Sequence, residues 1–172
     1  MTKLRGAVER IFEVVTVGLL VVLFVEVLAG IVFRAFRRPL VWYDEVASVL
    51  LAWLTYYGSA LAALKRAHIG FPGFVRVMPQ GGRTTALVIR EIAVTGFFLL
   101  LASQGARILG ELGGETLVSV DIPVRLTQSV IPIGAVLFIV AELLTLPVRI
   151  RESKGLVAPP SDVAKASKEL AH

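Results

Sequence analysis

The residues of this chain with chemical promise are charges set in or beside long apolar stretches. Glu26, Arg107 and Glu142 interrupt such stretches, and Glu13 lies near the start of one. A further group frames the segment WYDEVASVLLAWLTYYGSALAALKRAHI, residues 42–69: Asp44 and Glu45 open it, and Lys65, Arg66 and His68 close it. Two carboxylates suggest a general acid and base, which must converge on one reacting atom. Neighbours on a helix point about 100° apart and converge poorly. Acids before an apolar run and bases after it suit a helix instead, with a capping carboxylate at its start and cations at its end. A lone histidine just past a helix end fits a cap or a headgroup contact better than a proton relay.

The elements that position these residues follow from composition. The 172-residue chain is 56% hydrophobic and only 18% charged, more apolar and less charged than a soluble domain. The excess collects in four blocks, each long enough to cross a bilayer core as a helix. None alternates with period two, as a barrel strand would. The expected fold is an all-α integral membrane protein with four transmembrane helices, near 11–33, 44–64, 85–110 and 124–148, in a membrane domain covering 1–151. A polar tail, 152–172, is expected to be disordered. The first block is too long for a signal-peptide core and contains Glu13 and Glu26, so it is expected to remain as a helix. Thr84 or Thr85 is a candidate cap for the third helix. Asp121 with Pro123 marks the start of the fourth, where Pro132 falls early and Pro147 at the end.

The chain has no cysteine and two histidines, one of them the last residue. Disulfide, thiolate and paired-histidine metal chemistry are therefore not expected, and no cofactor is implied. The net charge of +5 comes from basic residues that flank apolar blocks, which points to membrane topology rather than nucleic acid. Lys3, Arg5 and Arg10, the 65–83 connector, and Arg149, Arg151 and Lys154 put the positive bias on one side. Both termini are expected in the cytoplasm. The segments FRAFRRPLVWY and IGFPGFVRVMP mix arginine with aromatic or aliphatic residues and are expected to lie at the lipid headgroups.

By rise along their helices, Glu26 and Arg107 fall in the same outer half, and an interhelical ion pair is the preferred reading. An ion-transport role and a contact with another subunit are the alternatives. Trp53 and Tyr57 share a face of the second helix beside Gly58. That face serves either packing inside the bundle or the docking of a larger membrane partner.

The order and spacing of WYDE, YYGSALAAL and KRAHI, followed by SVDIP and VIPIGAVLF, resemble the small membrane subunit of tripartite ATP-independent periplasmic (TRAP) transporters, the DctQ-like family. The chain departs from the pattern after His68, where HIGFPGF places Phe71 and Pro72 instead of a frequent apolar residue and aspartate. The resemblance implies a non-enzymatic accessory subunit in the bacterial inner membrane, surrounded by lipid. Its expected partners are a large sodium-driven transport subunit and a periplasmic binding protein that captures an organic acid of the dicarboxylate or sialic-acid type. It also implies a partner-subunit surface, for which Trp42, Glu45, Trp53, Tyr57, Gly58 and His68 are candidates, and a docking surface at Arg34, Arg37 and Arg38. The competing reading is an independent homo-oligomeric channel or exporter, with Glu26 lining the pore.

Overall fold

The computed structural model describes residues 2–67 and 79–154. It contains α1 (Thr2–Ala35), α2 (Tyr43–Lys65), α3 (Gln80–Glu111), the single-turn α4 (Val124–Gln128) and α5 (Val130–Ser153). Taken as α1, α2, α3 and the α4–α5 unit, four helical spans among the described residues are long and apolar enough to cross a membrane, as expected. His68, Phe71, Pro72, the second interfacial segment up to Met78 and the tail beyond Lys154 lie outside the described residues.

The helices form a row in the spatial order α1, α2, α5, α3, in which α2 packs on α1 and α5, and α3 packs on α5. α2 and α5 are the inner members. Of the large apolar side chains of α2 only Leu51 is exposed, whereas α1 and α3 expose aliphatic and aromatic side chains along much of their length. Such a surface suits lipid or an apolar partner rather than water. The shared core is Phe12 of α1, Ala60, Ala63 and Leu64 of α2, and Phe138 and Ala141 of α5, with Phe98 of α3 packed against it. The Phe98 and Phe138 rings stack with centroids 3.9 Å apart. The three alanines let helix backbones approach closely, which is how helices pack where lipid removes most of the hydrophobic drive.

The ends of the helices correct several expectations. α1 starts at Thr2, because no Gly–Pro break separates the polar first turns from the apolar block. Trp42 is the N-cap of α2 and makes no side-chain cap bond, so Asp44 lies inside the first turn and does not cap. α3 starts at Gln80 after Pro79, which leaves Thr84 and Thr85 within the helix; Thr85 Oγ1 donates back to the Gly81 carbonyl at 3.0 Å. Asp121 is likewise replaced as a cap by Pro123. The fourth span is broken at Ser129. Pro132 explains the break: it has no N–H for the Gln128 carbonyl, and its ring crowds that carbonyl. Pro147 does not end the span, which continues to Ser153.

α1 and α2 end alike. Arg37 and Arg66 take left-handed conformations, with φ of 58° and 59°. Arg38 N–H donates to Phe33 O and Arg37 N–H to Arg34 O; Ala67 N–H donates to Ala62 O and Arg66 N–H to Ala63 O. Both are Schellman ends with arginine where glycine is usual, at a backbone cost of roughly 1 kcal/mol each.

Candidate functional site

One end of the bundle is held by charge. Lys65 of α2 donates to Glu13 of α1 at 2.7 Å. Arg5 Nη2 donates to the Leu64 carbonyl at 3.1 Å. Arg66 forms a two-pronged pair with Glu152 of α5, its Nη1 to Oε1 at 2.7 Å and its Nη2 to Oε2. Deeper in the bundle lies a quartet. Glu142 of α5, 2% exposed, accepts from Arg149 Nη1 at 2.5 Å and from Arg90 Nη2 of α3 at 3.1 Å. Glu91 accepts from Arg149 Nη1 at 3.0 Å and pairs with Arg90. Two cations and two anions cancel, as a site of low polarity requires of buried charge. These bonds place the start of α1, the end of α2 and the end of α5 together, so the Thr2 and Ser153 ends lie at the same end of the bundle.

The other end is closed by polar contacts to backbone. Glu45 Oε1 accepts from the Val118 N–H at 2.8 Å, and Oε2 from the Ser119 N–H at 2.7 Å. Trp53 Nε1 donates to the Thr127 carbonyl at 3.1 Å, beside the break that Pro132 creates. Arg125 Nε donates to the Leu109 carbonyl at 2.8 Å. The Trp53 and Tyr57 rings stack at 6.3 Å, as their shared face suggests.

The candidate residues divide accordingly. Glu45 and Trp53 face their own chain, and a Cβ on Gly58 would meet Thr16 Cγ2 of α1 at 3.9 Å. Trp42 is 38% exposed, and Arg34, Arg37 and Arg38 are exposed. Beside those arginines an open depression of about 410 Å³ is lined by Val32, Phe33, Phe36 and Arg38. His68 is outside the described residues.

Glu26 and Arg107 do not pair. Both carboxylate oxygens of Glu26 are buried without a hydrogen-bond partner, Arg107 is exposed, and α1 and α3 are not packed on one another in the row. The expectation put them at one depth by rise along their helices, but rise along a helix does not make two helices neighbours. A buried carboxylate without a donor is costly. Glu26→Gln is therefore expected to leave the thermal unfolding midpoint unchanged or raised, with no coupling to Arg107→Gln in a double-mutant cycle. A clear loss on Glu26→Gln that Arg107→Gln reproduces would restore the pair.

Arg90 and Glu91 were missed as site residues. Their signal is an adjacent pair of opposite charges inside the third apolar block, matched by Glu142 and Arg149 on the last helix.

Charges used to join helices, apolar depressions and long apolar outer faces define a multi-pass helical membrane protein. The family is shown by comparison: the chain belongs to the family described as tripartite ATP-independent periplasmic transporters, DctQ component, which residues 23–152 match. It is a component of a transporter, as the family resemblance of its motifs implies. It is also similar, at 28% identity over 108 residues, to the sialic acid TRAP transporter small permease protein SiaQ of Vibrio cholerae serotype O1. The overlap covers 60% of this chain and 62% of that protein, a little under two thirds of its length.

Proposed function

We propose that this chain is the accessory membrane subunit of a sodium-driven uptake system in the bacterial inner membrane. In this reading it braces a large transport subunit and helps a soluble periplasmic binding protein dock with its organic-acid cargo. The observation that carries the reading is the arrangement of charge. The inner half of the bundle joins its helices through paired charges, and depressions among the described residues at its other end are lined mainly by apolar side chains. A subunit that moves substrate and sodium needs several polar groups converging on them, and among the described residues Glu26 is a single unpartnered buried carboxylate; a brace needs stiffness and apolar outer faces. The exposed α1 and α3 faces and the Trp42 ring are the surfaces offered to the partner subunit and to lipid. Arg34, Arg37 and Arg38 are offered to the binding protein.

The same reading places both termini in the cytoplasm, because Arg5, Lys65, Arg66, Arg149 and Arg151 gather at one end. Reporter fusions at Gly81 and Gly114 should give opposite signals, with Gly114 periplasmic; a periplasmic Gly81 would reverse the orientation. The functional test is uptake into proteoliposomes. The chain with its large partner and binding protein should accumulate an organic acid under a sodium gradient, and the chain alone should accumulate none. Sodium-driven uptake by the chain alone would replace the accessory role with that of an independent transporter.

A further inference from the structure

The connector between α3 and α4 is held at its backbone while the side chains at its tip are left exposed. Thr116 and Pro123 form an antiparallel bridge, Leu117 N–H donates to the Ile122 carbonyl at 2.9 Å, and Val124 N–H donates to the Glu115 carbonyl at 2.9 Å. Below this small hairpin, Leu117 and Ile122 face Val46, Val49, Leu50 and Trp53 across an apolar depression of about 220 Å³. From the side, Glu45 takes both tip N–H groups, one on each carboxylate oxygen. Hydrogen bonds to an ionised acceptor are the stronger kind, and this carboxylate reaches 73 and 74 residues along the chain to make them. Yet the Val118 side chain at the tip is 97% exposed, and Ser119 and Asp121 beside it are exposed too.

A flexible loop can hide an aliphatic side chain; this one is fixed so that it cannot. We infer that the 115–121 tip is a protein-docking knob and that Glu45 is its positioning residue. The knob is an apolar point flanked by Glu115 and Asp121, so its complement is a soluble protein surface with a small apolar hollow bordered by lysine or arginine. An anionic lipid surface is the wrong complement, because the two carboxylates would be repelled by it. The inference rests on the accessory-subunit reading, in which the soluble partner is the periplasmic binding protein. It adds an acidic contact to the basic one at Arg37 and Arg38.

The test uses the complex of this chain with its large subunit in nanodiscs. Binding of the soluble partner is measured alongside amide exchange at Val118 and Ser119. Val118→Asp and Asp121→Lys, both at exposed positions, should weaken docking about tenfold while the membrane complex stays assembled. Glu45→Ala should speed amide exchange at the two tip residues and weaken docking to a similar degree. Glu45→Gln keeps one good acceptor and should fall between. Unchanged docking in the two tip variants would overturn the knob. Unchanged exchange in Glu45→Ala would overturn the positioning role. Loss of liposome binding in Val118→Asp without loss of docking would assign the tip to lipid and overturn the protein contact. If the unaltered complex binds no soluble partner, the accessory reading itself fails, and the exchange data still decide what Glu45 holds.

Discussion

Arg149→Met is expected to destabilise the purified chain by about 3–5 kcal/mol, the usual cost of leaving one member of a buried ion pair without its counter-charge. Arg149 is 11% exposed and serves both Glu142 and Glu91, so its loss leaves two carboxylates sharing Arg90 alone. Glu142→Met should cost a similar amount, because it leaves two guanidinium groups around Glu91. The double variant is the informative one. It leaves Arg90 and Glu91 as a neutral, adjacent pair and puts two apolar side chains where the other two charges were. Its unfolding midpoint should lie closer to the unaltered chain than either single variant. Losses that simply add would mean the four residues do not act as a network. In the full complex the single variants should lower uptake in proportion to the assembled protein recovered, and leave the substrate concentration for half-maximal uptake unchanged. That separation follows if the quartet joins α3 to α5 and handles no cargo.

The spans were legible in the sequence because an apolar stretch of bilayer length needs no partner to be recognised. Their order in space was not. The pairing of α1 with α2, of α2 with α5 and of α5 with α3 is decided by which small residues oppose which large ones. Gly134, for example, faces Tyr56, and Gly105 faces Ile131 and Pro132. No spacing within one helix records such a match. Glu26 and Arg107 illustrate the consequence, lying on helices that are not packed on one another in the row. The helix ends were misplaced for a different reason. Asp44, Thr84 and Asp121 have capping side chains, but Trp42, Pro79 and Pro123 occupy the cap positions. The prolines pre-set a backbone that starts a helix without a side-chain acceptor. Glu45 was correctly placed in the first turn of α2, but its two bonds reach Val118 and Ser119, far along the chain.

Gly134→Ala is expected to disrupt the bundle, whereas Gly58→Ala should be tolerated. A methyl group on Gly134 would lie 2.7 Å from both Cβ and Cδ1 of Tyr56, and Cβ cannot swing away because it is fixed to the α2 backbone. The helices must separate or Tyr56 must shift, and overpacking of this kind costs about 1–3 kcal/mol. Gly58 has room, since its added Cβ would be 3.9 Å from Thr16 Cγ2, an ordinary contact. There, alanine should gain up to about 1 kcal/mol from helix propensity. The contrast tests what the small residues of α2 and α5 are for. If Gly58 receives a helix of the large subunit, Gly58→Ala should weaken copurification while the isolated chain stays stable. If it belongs to the α1–α2 contact, copurification should be retained. Gly134→Ala should lower the unfolding midpoint of the isolated chain first and copurification as a consequence, because α2 against α5 is the central joint of the row, from which α1 and α3 hang. An unchanged midpoint in Gly134→Ala would mean that the joint yields readily, and a yielding joint is incompatible with a brace.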